Sequence, residues 1–124
     1  MGDETRKAEL FEQLARVGKA LGSGKRLELL DLLIEGPRGV ADLAATAGLG
    51  VTSTSAHLQT LKQAGLVATT RDGTTIRYHL ADTETDTGVA ALYAALRDVA
   101  AARLPDVDAA RRSYLSIQGG EDTE

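Results

Sequence analysis

The apolar residues of this chain change their period at Gly65. Upstream, in "GLGVTSTSAHLQTLKQAGLV" (residues 48–67), Thr54, Leu58, Leu61 and Ala64 recur every three or four positions, the spacing of one helix face. Downstream, in "LVATTRDGTTIRYHL" (residues 66–80), Ile76, Tyr78 and Leu80 alternate with Arg77 and His79, and Asp72-Gly73 supplies a two-residue hairpin signal. A helix that passes straight into a hairpin, with glycine at the junction, leaves few folds open. Its apolar stripe has to pack on other helices while the hairpin projects beside it.

Those other helices are legible upstream. Leu10, Leu14, Val17 and Leu21 are spaced 4, 3 and 4, with Phe11 beside them, and predict an amphipathic helix from Thr5 to Leu21. "GSG" ends it, and Ser23 can cap a second helix, "KRLELLDLLIE". Leu27, Leu30 and Ile34 form its stripe, widened by Leu29 and Leu33, and Gly36-Pro37 stops it. "GVADLAATAG" is a third, short helix closed by Gly48 in a left-handed cap. From about Thr87 the chain is again helical and alanine-rich, with Val89, Leu92, Leu96, Val99 and Arg103 at spacings of 3, 4, 3 and 4. Pro105 should kink or restart that helix near Leu104. The expected fold is mainly α with a small β-hairpin. Residues 1–118 are expected to form one domain, and 119–124 a polar, disordered tail.

The helix at residues 51–63 opens with Val51-Thr52-Ser53-Thr54-Ser55, five weak helix formers in a row. The order of elements explains them. A short helix, a turn of about four residues containing glycine, a second helix and then a hairpin describe a winged helix-turn-helix. The first turn of a recognition helix needs small side chains for close approach and hydroxyls for phosphates and base edges. Packing of Leu58 and Leu61 can hold such a helix in place despite its weak propensity.

Charge permits this reading when divided along the chain. The formal net charge is −4, but residues 1–80 carry 10 basic and 9 acidic side chains, whereas 81–124 carry 4 and 9. From Gly50 to Leu80 the formal charges are Lys62, Arg71, Asp72 and Arg77, a local +2. Aromatic residues make up 3% of the chain, so the core has to be aliphatic. No cysteine is present, which removes disulfides and thiolate chemistry. "MGDETRKAEL" has no signal-like apolar run and no stretch is long enough to span a bilayer, so a cytoplasmic location without membrane partners is expected.

The runs "LGSGKRLELLDLL", "VADLAATAGLGVTSTSAHLQTLKQAGLV" and "TTRDGTTIRYHL" resemble the ArsR/SmtB family of dimeric bacterial winged-helix repressors over about residues 9 to 104. The specific pattern is S-x-H-L-x-x-L-x-x-A-G-L-V, present as Ser55, His57, Leu58, Leu61, Ala64, Gly65, Leu66 and Val67. The resemblance implies a homodimer through the first and last helices. It also implies two recognition helices reading an inverted repeat, with effector binding usually releasing the DNA. The expected DNA-binding set is Thr52, Ser53, Ser55, Ala56, Gln59 and Lys62 on the helix and Arg71 and Arg77 on the hairpin. Ala56 stands where the family often has a long polar side chain, so direct readout should be sparse. Gln59 is the side chain able to make a bidentate contact to adenine. The expected dimer interface is Phe11, Leu14, Leu92, Leu96 and Val99, because the apolar stripe of the last helix exceeds what a small core can cover.

Departures from the family argue against metal sensing. Where some members carry a cysteine pair in the third helix, this chain reads Val40-Ala41-Asp42-Leu43-Ala44, and no histidine follows His79. Asp98, Asp106 and Asp108 read as a solvated face, so neither a metal nor a cofactor is expected. His57 is expected to hydrogen-bond at the edge of the core, and His79 to be exposed. Gly22-Ser23-Gly24-Lys25-Arg26 lacks the spacing of a phosphate loop. A further similarity, carried by "FEQLARVGKAL" and "RRSYL", points to a subgroup whose DNA-binding domain precedes a rhodanese domain with a reactive cysteine. Here the chain ends instead, so that sensor is either missing from it or was never present. A repressor binding double-stranded DNA is the expected function, and a winged-helix module that binds only protein is the alternative. With no clustered acid, base and nucleophile, an enzyme is not expected. The residues name no effector.

Overall fold

The computed structural model describes residues 2–81 and 88–105. Its elements are α1 (Gly2–Ala20), α2 (Gly24–Leu33), α3 (Val40–Ala47), α4 (Val51–Gln63), β1 (Val67–Asp72), β2 (Thr75–Leu80) and α5 (Val89–Ala101). The Asp106 and Asp108 reading, "RRSYL" and the 119–124 tail lie outside the described residues.

Local chemistry sets most boundaries where the sequence predicts them. The Ser23 hydroxyl caps α2 by accepting from the Arg26 N–H at 3.3 Å. Gly48 closes α3 with φ +70°, a conformation that costs a side chain but not glycine. α5 stops short of Pro105: Ala102 is its C-cap, and the last backbone bonds, from Arg103 and Leu104, reach back only to Ala100 and Ala101.

The core is aliphatic. Leu29, Leu30 and Leu33 of α2, Leu43 and Ala47 of α3, and Leu58 and Leu61 of α4 meet in one cluster, closed by Ala20, Leu66, Val67, Leu80 and Val89. Two residues depart from their expected faces. Ile34 is exposed because it is the C-cap residue of α2, past the last buried turn. Ile76 is exposed because it lies near the tip of the hairpin, beyond the reach of the core.

β1 and β2 pair antiparallel, with Val67 opposite Leu80 and Asp72 opposite Thr75. The two turn residues are therefore Gly73 and Thr74, one position later than the Asp72-Gly73 signal suggests, with Gly73 at φ +67°. A third segment fixes the hairpin to the helices. Arg38, between α2 and α3, exchanges both backbone bonds with Tyr78 of β2, at 3.0 and 2.8 Å. Its guanidinium is held by Glu35 at 3.3 Å and Asp42 at 3.6 Å. The hairpin is thus anchored at its base on the element that precedes the helix-turn-helix.

Candidate nucleic-acid interface

α4 has two faces of opposite character. Thr54, Leu58 and Leu61 are 0% exposed. The opposite stripe is Thr52, Ala56, Gln59 and Gln63, spaced 4, 3 and 4, and it is exposed along its length, with exposed Ser53 and Ser55 beside it. The weak helix formers therefore divide into two groups. Thr54 belongs to the core, and its hydroxyl donates to the Gly50 carbonyl at 2.9 Å, so no polar atom is left unpaired by burial. Thr52, Ser53 and Ser55 point outward from a first turn whose N-cap, Gly50, supplies no side-chain bond.

The remaining predicted residues are more scattered. Lys62 is in the last turn of α4, about 15 Å along the axis from Thr52. Its Nζ lies 3.5 Å from the Thr69 hydroxyl, so it leans toward the hairpin. Arg71 and Arg77 are both exposed, but on opposite faces of the hairpin. Arg71 pairs with Ile76 on the face of Thr69 and Tyr78, and Arg77 pairs with Thr70 on the face of His79. The structure brings Thr52, Ser53, Ser55, Ala56 and Gln59 onto the exposed side of α4, with Lys62 in its last turn and Arg71 and Arg77 apart on the hairpin.

Three features of this surface lie outside the set expected from sequence. Gln63 continues the Thr52-Ala56-Gln59 stripe, which the 4, 3, 4 spacing could have shown. Val51 is 51% exposed beside the hydroxyls of the first turn. Arg16 and Lys19 of α1 line a groove with Thr60 and Gln63 of α4, adding positive charge that only the fold makes adjacent, together with Glu12.

The histidines differ from each other. His57 is half-buried at the edge of the core, as predicted, with its ring against Arg26 of α2. His79 is half-buried, not exposed. Its Nδ1 is 3.0 Å from the Leu80 carbonyl and its Nε2 2.9 Å from the Thr70 hydroxyl. A carbonyl only accepts, so Nδ1 donates to it and Nε2 accepts from Thr70. The ring braces the hairpin across its strands. Among the described residues, no three His, Asp or Glu side chains gather as a metal site requires.

Phe11 and Leu14 of α1 and Leu92, Leu96 and Val99 of α5 are between 38% and 58% exposed, as is Leu10. α5 is tied to α2 by Arg97 and Asp31 at 3.9 Å, with the guanidinium 5.8 Å from the centre of the Tyr93 ring. Among the described residues no helix is long and apolar enough to cross a membrane.

This arrangement is found in known proteins. Residues 23–69 match the family described as bacterial regulatory protein, arsR family. The chain is 45% identical over 114 residues to the HTH-type transcriptional regulator Rv0324 of Mycobacterium tuberculosis, covering 92% of this chain but 49% of that protein, so it spans about half of that relative's length. It is 35% identical over 98 residues to the uncharacterized HTH-type transcriptional regulator Rv0081 of the same organism, covering 78% of this chain and 82% of that one. Its fold matches the solution structure of the homodimeric winged helix-turn-helix DNA-binding domain of Mb0332 from Mycobacterium bovis, a possible ArsR-family regulator. There the TM-score is 0.72 and the identity 46%, over 80% of this chain and 88% of that one.

Proposed function

The chain belongs to the ArsR family of bacterial regulatory proteins, and from that premise we propose that it is a homodimeric transcriptional repressor that binds an inverted-repeat operator. The observation that carries the proposal is the division of α4. One face is wholly buried, and the other presents small hydroxyl-bearing residues and Gln59 outward, with a hairpin fixed beside it through Arg38. A helix so exposed fits a major groove, and a hairpin so placed can meet the adjoining backbone or minor groove.

Dimerisation follows from the apolar stripes of α1 and α5. Each leaves large apolar side chains in water that a small monomer rarely keeps uncovered, and the similar Mycobacterium bovis domain is described as homodimeric. A two-fold dimer places two copies of α4 in opposite senses, and the matching operator is an inverted repeat. Such a protein acts in the cytoplasm, where the chromosome is, and represses by occupying DNA that the transcription machinery needs.

The test is a mobility shift with the protein's own upstream region and with a random duplex at low salt. Specific retention of the upstream region supports the proposal. A winged-helix module that binds only protein would retain neither duplex.

A further inference from the structure

We infer that α4 reads A·T base pairs in the major groove through the methyl groups of thymine, with Gln59 on adenine, and that guanine is not read by this helix. The inference rests on the DNA-binding reading above and adds the chemistry of the bases to it.

The outward stripe at the start of α4 sets methyl groups between its hydroxyls. Val51 flanks that stripe, on the side of Thr54 and Leu58, and leaves half its branched surface in water. Thr52 adds a γ-methyl and Ala56, one turn later, a β-methyl, both on exposed positions. Guanine is commonly read by arginine or lysine on O6 and N7, and residues 51–61 contain neither. The nearest cations are in the last turn of α4, on the hairpin and on α1. Ser53 and Ser55 can bond to any base and so prefer none. Where the methyls of Thr52 and Ala56 rather than the serine hydroxyls meet the base edge, the O6 and N7 of guanine or the amino group of cytosine would lose water without gaining a partner. A thymine methyl would lose only unfavourable hydration. Gln59 supplies the complementary donor and acceptor for the N6 and N7 of adenine.

Selection of bound sequences from a random duplex library, followed by replacement of thymine with uracil in the selected site, tests this. Uracil lacks only the 5-methyl group, which lies in the major groove, so contacts of the hairpin in the minor groove are untouched. The expected result is a half-site of A·T pairs under the helix and a loss of about fourfold in affinity for each contacted methyl removed. Thr52→Ser, which removes one outward methyl and keeps the hydroxyl, should lower the ratio of affinities for the thymine and uracil duplexes by about fourfold for the methyl it contacts. Equal affinity for the thymine and uracil duplexes, or guanine selected under the helix, would overturn the inference and leave the repressor intact. Failure to bind any duplex at low salt would overturn both.

Discussion

Arg26 ties three helices together through one guanidinium. Its Nη1 lies 3.3 Å from Nδ1 of His57 on α4, while Nε and Nη2 donate to the carbonyls of Ala20 and Lys19 at the end of α1, at 2.7 and 3.2 Å. A guanidinium only donates, so His57 accepts at Nδ1 and carries its proton on Nε2. The helix that carries Phe11 and Leu14 is thereby joined to the helix that carries Thr52 and Gln59. Replacing Arg26 with Met removes all three bonds and the positive charge at the C-terminal end of α1. Urea unfolding should show a loss of about 2 to 3 kcal/mol.

The same bond gives an internal control. His57→Asn keeps an acceptor at about the position of Nδ1, whereas His57→Leu removes it. The Leu variant should be less stable than the Asn variant by about 1 kcal/mol in the same titration. Equal stabilities would mean that the ring serves only as packing.

Association should depend on the exposed leucines. Leu96→Glu places a charge in the centre of the α5 stripe, where the monomer already leaves the side chain in contact with water. The variant should fold but scatter light as a monomer at micromolar concentration, where the wild type scatters as a dimer. A wild-type monomer under those conditions would remove the basis for an inverted-repeat operator.

Much of this was legible because periodicity and capping are local. The 4, 3, 4 stripe of α1, the Ser23 cap and the left-handed Gly48 need no knowledge of the rest of the chain. What escaped was decided by distant contacts. The bridge between Arg38 and Tyr78 leaves no periodic trace, since a single residue in a loop carries it. His79 could not be placed from alternation alone, because the bond that orients its ring comes from Thr70 across the hairpin. Most exposed residues of α4 were legible, Val51 and Gln63 excepted, while the groove that Arg16 and Lys19 share with Gln63 is formed only by the fold.

Thr54 allows the core and surface roles of the opening hydroxyls to be separated. Its N–H already donates to the Gly50 carbonyl at 3.0 Å, and its hydroxyl donates to the same oxygen. Thr54→Val keeps the shape and loses the second bond, so stability should change by no more than about 1 kcal/mol. Thr54→Arg forces a charged chain into a site that is 0% exposed, and the protein should fail to fold. Circular dichroism with thermal melting distinguishes these outcomes.

Reading and anchoring should separate between α4 and the hairpin. Gln59 is on the outward stripe of the helix, and Gln59→Ala should cost about 1 to 3 kcal/mol on operator DNA while barely changing affinity for random duplex. Arg77 is exposed on the hairpin face that carries His79, opposite the face of Arg71, so the two arginines can be removed one at a time. If Arg77 neutralises a phosphate, Arg77→Ala weakens binding to both DNAs. The slope of log affinity against log salt then becomes shallower by about 0.9 for each phosphate no longer neutralised, or about 1.8 for a symmetric dimer. An arginine inserted into a narrow minor groove behaves differently. Its loss weakens the operator selectively and depends on the A·T content beside the half-site. One salt titration on the two duplexes therefore identifies the role of each arginine, because their opposite faces cannot present the same geometry to a single groove.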